Sequence, residues 1–500
     1  MVKRKKNQWL VIAILIAALL SGCAGEERAL SDDTLQGSFP AESAEVTIEK
    51  TVSAPAGSGL GESGLTDASQ EEDNVEASGL GESGLTDASQ EEDNVEASGL
   101  GESGLKDANL EDSEGKILQE LSGNARAESE GQAVGTAVEY KIVMVGDVLL
   151  HTPVEESCRK PEGGYDYDSL FAHTGDEISA ADLALVNQEV LIGGADLGIS
   201  GYPSFNADFS LCDSLVRSGF DVICHATNHA MDKGRAGIIS CAQHWREQYP
   251  QITVLGIHDT ADTSTLSDAD PVIIELPELR IAVLNYTYGT NGIALPKDMP
   301  YAVDLLDEKQ VAADLHRAEE LADFTIVCPH WGTEYRLTPD ASQEKWVQIF
   351  LENGADLVLD THPHVIEPIE WVTDPENDHE MLVYYSLGNF VNWTSGTGEG
   401  VANRMVGGMA EVTIAKNEAG EAEITDYGIR PLVSHVTSGY GGVTTYFLED
   451  YSKELEAANE ITLQDPDFSL EYCIDLCDSV WGDLWRKSAD NSFVNKNDGQ

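Results

Sequence analysis

Positive charge is scarce in this chain. Its 500 residues hold 29 lysines and arginines against 89 aspartates and glutamates, for a formal net charge of −60. That balance excludes nucleic acid as a partner, because neutralising phosphates takes Lys and Arg. It equally excludes docking on anionic lipid by charge alone. Cysteine is thin and scattered: Cys23, Cys158, Cys212, Cys224, Cys241, Cys328, Cys473 and Cys477, with no CxxC pair. The spacing excludes a zinc finger and a small disulfide scaffold. Cys473 and Cys477, four apart, share a helix face and are read equally well as apolar filling. Long apolar runs are missing too. The run Trp9–Leu20 has twelve residues, against the roughly 20 that a spanning helix needs.

That run follows Lys3, Arg4, Lys5 and Lys6 and precedes Leu20-Ser21-Gly22-Cys23. A basic start, a short apolar stretch and small residues make a secretory signal. LSGC resembles the lipobox of bacterial lipoproteins, which implies residues 1–22 as signal peptide and Cys23 as the lipidated residue; the alternative is an uncleaved anchor. Both readings put the protein outside the cytoplasm, tied to the cell membrane. Residues 24–139 carry 28 acids against 5 bases. A unit SGLGESGLTDASQEEDNVEA fills 58–77 and recurs unchanged at 78–97. Three large apolar residues per unit cannot bury a face, so these repeats do not make a solenoid. Residues 23–138 read as a disordered, self-repelling tether, with a short helix conceivable at 116–121.

From about Tyr140 the texture changes. Short apolar runs (141–145, 183–186, 222–224, 253–255, 280–284, 324–327, 357–359, 381–385) alternate with helical patterns at 210–219, 236–248, 308–322 and 342–353. This predicts an α/β domain over 139–395 with a largely parallel sheet. Residues 396–500 read as a C-terminal extension, with β-like runs at 408–414 and 422–429 and a helical stretch from 446 to 485.

Polar residues gather where the strands end, which is where open α/β sheets bind ligands. Asp147 closes the first run, Asn187-Gln188-Glu189 the second, and Asn228-His229 with Asp232 the third. His330 with Glu334 follows 324–327, and His362-Pro363-His364 follows 357–359. Each alone has a bland counterpart: a helix cap for Asp147, a loop acid for Glu189, a satisfied buried imidazole for His330. Together, carboxylates, an amide and imidazoles converging on one crevice are the donors that two divalent metals require.

The motifs GD (146–147), NxE (187–189), NHxxDxG (228–234), HWGxEY (330–335), HPHV (362–365) and YSLGNF (385–390) occur in this order. In that set the chain resembles the capsule synthesis protein CapA family, associated with poly-γ-glutamate capsule biosynthesis and similar in fold to calcineurin-like metallophosphatases. The resemblance implies a sandwich of two β-sheets flanked by helices. It implies Asp147, Glu189, Asn228, His330, His362 and His364 as ligands of divalent metal ions, two in number and Mn, Fe or Zn in kind, with Glu189 bridging. His229 would act on the reacting group, oriented by Asp232; Asn187 and Glu334 would support the ligands, Glu334 by orienting His330; residues 385–390 would shape the crevice floor. The chain departs from the family at Gln188, Thr227 and Thr361. Val145 stands where an ordinary metallophosphatase has the first residue of its DxH opening, which leaves a mononuclear site open; His151 and His225 are spare imidazoles nearby.

The reading that follows is an extracellular lipid-anchored, metal-dependent hydrolase or transferase. Its partner is a capsule polymer or precursor. The alternative is a non-catalytic assembly or polymer-binding subunit of a membrane synthase. Residues 140–500 carry 61 acids against 20 bases, so a polyglutamate chain would approach only across bridging cations.

Overall fold

The apolar runs beyond residue 138 form strands, and these sort into two sheets rather than one. The computed structural model describes residues 138–261, 269–394, 396–437 and 442–488. The signal, Cys23, the repeats and residues 116–121 lie outside the described residues. The strands are β1 (Glu139–Val148), β2 (Leu183–Asn187), β3 (Val222–Cys224), β4 (Thr253–Leu255), β5 (Val272–Glu275), β6 (Arg280–Thr287) and β7 (Phe324–His330). They continue with β8 (Leu357–Leu359), β9 (Ile369–Thr373), β10 (Glu380–Tyr384), β11 (Asn389–Val391), β12 (Val406–Lys416), β13 (Ala422–Thr437) and β14 (Gly442–Phe447).

One sheet runs β14-β13-β12-β1-β2-β3-β4, with β11 beside β1; the other runs β5-β6-β7-β8-β10-β9. The first sheet is parallel on one side and antiparallel on the other, and the second has a parallel centre with antiparallel edges. β1 to β4 are parallel and β12 to β14 antiparallel. β6, β7, β8 and β10 are parallel, with β5 and β9 antiparallel at the edges. These are the two sheets flanked by helices that the resemblance implies, and the largely parallel strands read from periodicity are divided between them. Buried parallel strands are continuous apolar runs in either sheet, so the pattern carries no label for which sheet a run joins. β12 pairs with β1 from Glu139↔Ala415 to Val145↔Met409, so strands beyond residue 395 complete the first sheet. Tyr446 lies in β14, and the helical stretch starts later, with a 3-10 turn at Leu448–Asp450 and an α-helix from Lys453.

The second sheet shows how the layers stack. Ile281, Val283, Phe324, Ile326, Cys328, Leu357, Leu359, Leu382 and Tyr384 share one core with the first sheet's Ile142 and Met144. Their neighbours Ala282, Leu284, Val327, Val358, Met381 and Val383 join a second core with Val311, Leu315, Trp346 and Phe350. The period-two alternation of strand side chains therefore turns one face to the other sheet and one to helices. The helices are Glu308–Leu321 and Ala341–Glu352. Asp307 caps the first, and a capping box of Asp340 and Gln343 starts the second, satisfying amides a helix start leaves open. Among the described residues no helix is long and apolar enough to cross a membrane.

Candidate metal centre

The carboxyl ends of the parallel strands from both sheets meet at one place. Asp147 leaves β1 and Glu189 stands two residues past β2. Asn228 and His229 follow β3, His330 ends β7, and His362 and His364 follow β8. All are buried. Gly146 makes the convergence possible: a Cβ there would sit 1.8 Å from the Gly388 carbonyl oxygen. The bare backbone lets the Asp147 amide donate to that carbonyl at 3.0 Å.

Three groups of donors bring their ligand atoms within 4.8 Å of one another: Glu189, His330 and His362; Asp147, Glu189 and His364; Glu334, His362 and His364. Glu189 belongs to two. One of its oxygens lies 3.6 Å from His364 Nε2, 3.9 Å from His330 Nε2 and 4.0 Å from His229 Nε2. Neither oxygen has a hydrogen-bond partner, nor has the buried Nδ1 of His362. Leaving such groups unpaired costs a folded protein on the order of 1–3 kcal/mol each. Orphaned oxygen and nitrogen donors facing one point are the chemistry that divalent metal binding satisfies. The residues present fit the group.

The surroundings hold these donors in place. His330 Nδ1 lies 3.0 Å from Thr361 Oγ1, and Nε2 lies 3.0 Å from Asn228 Oδ1, which puts the amide oxygen with the same donors. Asn187 donates to Asp147 Oδ1 at 2.8 Å, and His364 Nδ1 donates to Asp147 Oδ2 at 3.0 Å. Thr227 donates to the Glu189 carbonyl and accepts from the His229 amide. Gln188 donates to the Val190 carbonyl. The three family departures thus each act on the loop or ligand beside them. His362 and His364 both have positive φ, 104° and 58°, a conformation that costs of order 1–3 kcal/mol per residue and persists where surroundings enforce it.

Electrostatics agree with the donor roles of His330 and His362. Burial, helped by neighbouring imidazoles, holds His330 and His362 well below their ordinary range and so neutral, the form that ligates. Burial pushes the Glu189 carboxyl well above its range; His364 opposes this, and the charges of Asp147, Glu334 and Asp232 add to it. Burial disfavours the charged form of His364 too, but Glu189 and Asp147 outweigh it and push the group up to about 10. Burial then pushes the Tyr288 hydroxyl up to about 12, with Glu334 and Glu189 contributing.

His229 is in none of the three donor groups, though its Nε2 faces Glu189; its Nδ1 donates to Asp232 Oδ2 at 2.7 Å, and Asp232 also accepts from the Phe205 amide. Asp232 therefore fixes the His229 ring. Glu334 is elsewhere than expected. It groups with His362 and His364, and the hydrogen-bond neighbours of His330 are Thr361, Asn228 and, 3.3 Å from Nδ1, Asn187. His151 is beside the centre, where burial and the His364 and His229 charges hold it down at about 4. His225 is not: its Nε2 accepts from Trp245 Nε1 at 3.3 Å, next to Cys241.

Several residues escaped sequence reasoning. The Tyr288 ring lies 4.7 Å from His362, and Asn291 accepts from Asn228 at 3.3 Å. Both follow β6, whose end obeys the same strand-end rule. Asn389 is expected only as part of the crevice floor; its Oδ1 lies 3.2 Å from His364 Nδ1 and its amide donates to the carbonyl of Arg404. Arg404 itself has no sequence signal.

The fold and site define a two-sheet α/β protein with a buried carboxylate–imidazole centre whose donors could hold a divalent metal. Residues 141–394, just over half of the chain, match the family described as bacterial capsule synthesis protein PGA_cap. The chain belongs to that family. It is 30% identical over 218 residues to the PGA biosynthesis protein CapA of Bacillus subtilis (strain 168), covering 43% of this chain and 52% of that protein. It is 24% identical over 265 residues to the capsule biosynthesis protein CapA of Bacillus anthracis, covering 51% and 60%. The chain thus spans a little over half the length of each. Among solved structures it is similar to the Haemophilus influenzae NAD nucleotidase (13% identity, TM-score 0.37, 73% of this chain and 67% of that one). It is also similar to the yellow lupin purple acid phosphatase PPD1 (8%, TM-score 0.23, 59% and 54%).

Proposed function

We propose that the protein is a divalent-metal-dependent hydrolase or transferase. It acts in the synthesis or export of a capsule polymer, poly-γ-glutamate or another, in keeping with its relatives' roles in PGA and capsule biosynthesis. It works outside the cytoplasm, held to the membrane through a lipid on Cys23. The observation that carries this reading is Glu189: a fully buried carboxylate with both oxygens unpaired, shared between two donor groups. Asp147, Glu189, Asn228, His330, His362 and His364 hold the metal, Mn, Fe or Zn by donor type. Divalent metal bound there supplies Lewis acidity and a nucleophile at neutral pH.

The chain's own residues do the rest. Asp147 and Glu189 offset cation charge. His229, fixed by Asp232 and 7% exposed, is placed to exchange a proton with a leaving oxygen or nitrogen. Tyr288 and Tyr335, 49% and 46% exposed, stand at the mouth of the crevice and shape what enters. The test is hydrolysis of phosphodiesters and γ-glutamyl peptides by the Mn-, Fe- or Zn-loaded protein. Activity lost in His330→Ala and in His362→Ala supports the reading. Activity unchanged in either variant contradicts it.

The charge of the globular part favours a second reading. With 61 acids against 20 bases in residues 140–500, a bound cation would serve to grip a polyanion without cleaving it, as in an assembly or polymer-binding subunit of a membrane synthase. Capsule export supported by a His362 variant that binds no metal would exclude both metal roles. Export lost with the metal, in a protein without hydrolysis of any such substrate, would favour this second reading.

A further inference from the structure

The family match ends at residue 394, yet the chain returns to the metal centre ten residues later. Val401–Met405 is a short 3-10 turn ahead of β12. It carries Arg404, half-buried, whose guanidinium lies over the Tyr335 ring at 3.6 Å. Tyr335 in turn lies 6.1 Å from the His364 ring. On the backbone side, Asn389 joins the Arg404 carbonyl to His364 through hydrogen-bond contacts of 2.9 and 3.2 Å. Arg404 is also among the charges acting on His151.

This arginine is unspent. In a chain so rich in carboxylates, Arg159, Arg217, Arg235, Arg246, Arg280 and Arg317 all sit in ion pairs, as do Arg430 and Arg486; Arg336 has no ion pair among the described residues either, but its Nε donates to Thr338. Arg404 has no carboxylate partner among the described residues, and its Nε is buried with no hydrogen-bond partner. Stacking on an aromatic ring leaves the in-plane N–H fork free, and that fork matches an oxyanion.

The C-terminal extension holds the arginine there. Buried Asp465 accepts from the Ala402 amide at 2.9 Å. Tyr472, on the helix Leu470–Trp481, donates to Asn403. Gln464 donates to the carbonyls of Thr394 and Gly396 and accepts from Trp393, while its own carbonyl accepts from Gly398. The segment with no function in its sequence is thus the brace behind Arg404.

We propose that Arg404, stacked on Tyr335 and braced by residues 464–472, binds the negatively charged oxygens of the substrate beside the metal centre, so that the site selects an oxyanion: a phosphate or a carboxylate. This rests on the metal-centre reading given under Proposed function and names the substrate class of that site.

The test is calorimetric titration of the full chain with inorganic phosphate and, separately, with γ-glutamylglutamate. Both are run on Mn-loaded and on chelator-treated protein, with metal content measured in parallel. Arg404→Gln should keep the wild-type metal content and lose about tenfold or more in affinity for at least one probe, as expected for losing a charge-assisted hydrogen bond. Arg404→Lys, which keeps charge but not the fork, should lose less and covers the case in which Arg404→Gln does not fold. Loss confined to phosphate assigns a phosphoester; loss confined to the dipeptide assigns a carboxylate. Wild-type affinity for both probes in Arg404→Gln, or no binding of either probe by the wild type, overturns the proposal. Failure of the metal reading is separate: it shows as absent metal, while Arg404 still discriminates in the chelator-treated arm.

Discussion

The two sheets contribute unequally to the centre. The first supplies Asp147, Glu189, Asn228 and His229, hence both fully buried carboxylates and the amide. The second supplies His330, His362 and His364, three imidazoles and no fully buried carboxylate donor. Neither side holds a complete ligand set, and each of the two groups built on Glu189 takes donors from both. The site therefore exists only when the sheets are packed, and the burial that stacks them is what desolvates the donors. The two sides are also tuned differently. Burial keeps His330 and His362 neutral, whereas His364 is drawn upward by the first sheet's carboxylates.

The largest break in that comparison is at Glu189, the first-sheet group common to both. Glu189→Ala should reduce bound metal to well under one equivalent per chain, read by elemental analysis. Asp147→Asn, which touches one group only, should lose part of it. Next is the joint between strands. Gly146→Ala would drive a methyl into the Gly388 carbonyl. It should destabilise the fold by about 3 kcal/mol or more, seen as a lower midpoint in urea unfolding. On the second-sheet side, Thr361→Val removes the hydroxyl that holds His330 and should weaken metal binding about ten- to a hundredfold. Asp232→Asn, on the first-sheet side, should leave metal content unchanged and alter the pH profile of activity through His229.

The smallest effect lies away from the centre. Burial pushes Glu155 up to about 8 against its hydrogen bond from Tyr167. The folded form thus keeps a proton that the unfolded chain releases above its ordinary value of 4.5. Between those values the native state binds more protons, so stability falls as pH rises and levels off above about 8. Glu155→Gln should remove that slope, gaining stability at pH 8 relative to pH 5 by a few kcal/mol or less. Equal slopes in the two proteins would contradict this.

Sequence reasoning reached this centre because parallel strands deliver their polar ends to one edge, so GD, NxE, NH, HWG and HPH could each be placed by the strand before it. It missed β5, β9, β11 and β14, which are three to six residues long and mostly at edges, where pairing rather than pattern decides. His225 shows a limit of proximity in sequence: it follows β3 like Asn228, but its ring turns to Trp245 and Cys241. Glu334 shows another, since a turn with positive φ at Tyr335 places it with His362 and His364. Arg404 had no pattern to betray it. It comes from outside the motifs, and only the path of the chain through the 3-10 turn brings it back.

The central claim is that the two sheets together build a metal centre. Elemental mass spectrometry on the full chain, purified without chelator and supplemented with Mn, Zn and Fe, tests it most directly. About two transition-metal equivalents per chain, lost in a His330→Ala/His362→Ala double variant, is the predicted result. Near-zero metal in the wild-type protein after supplementation would contradict it.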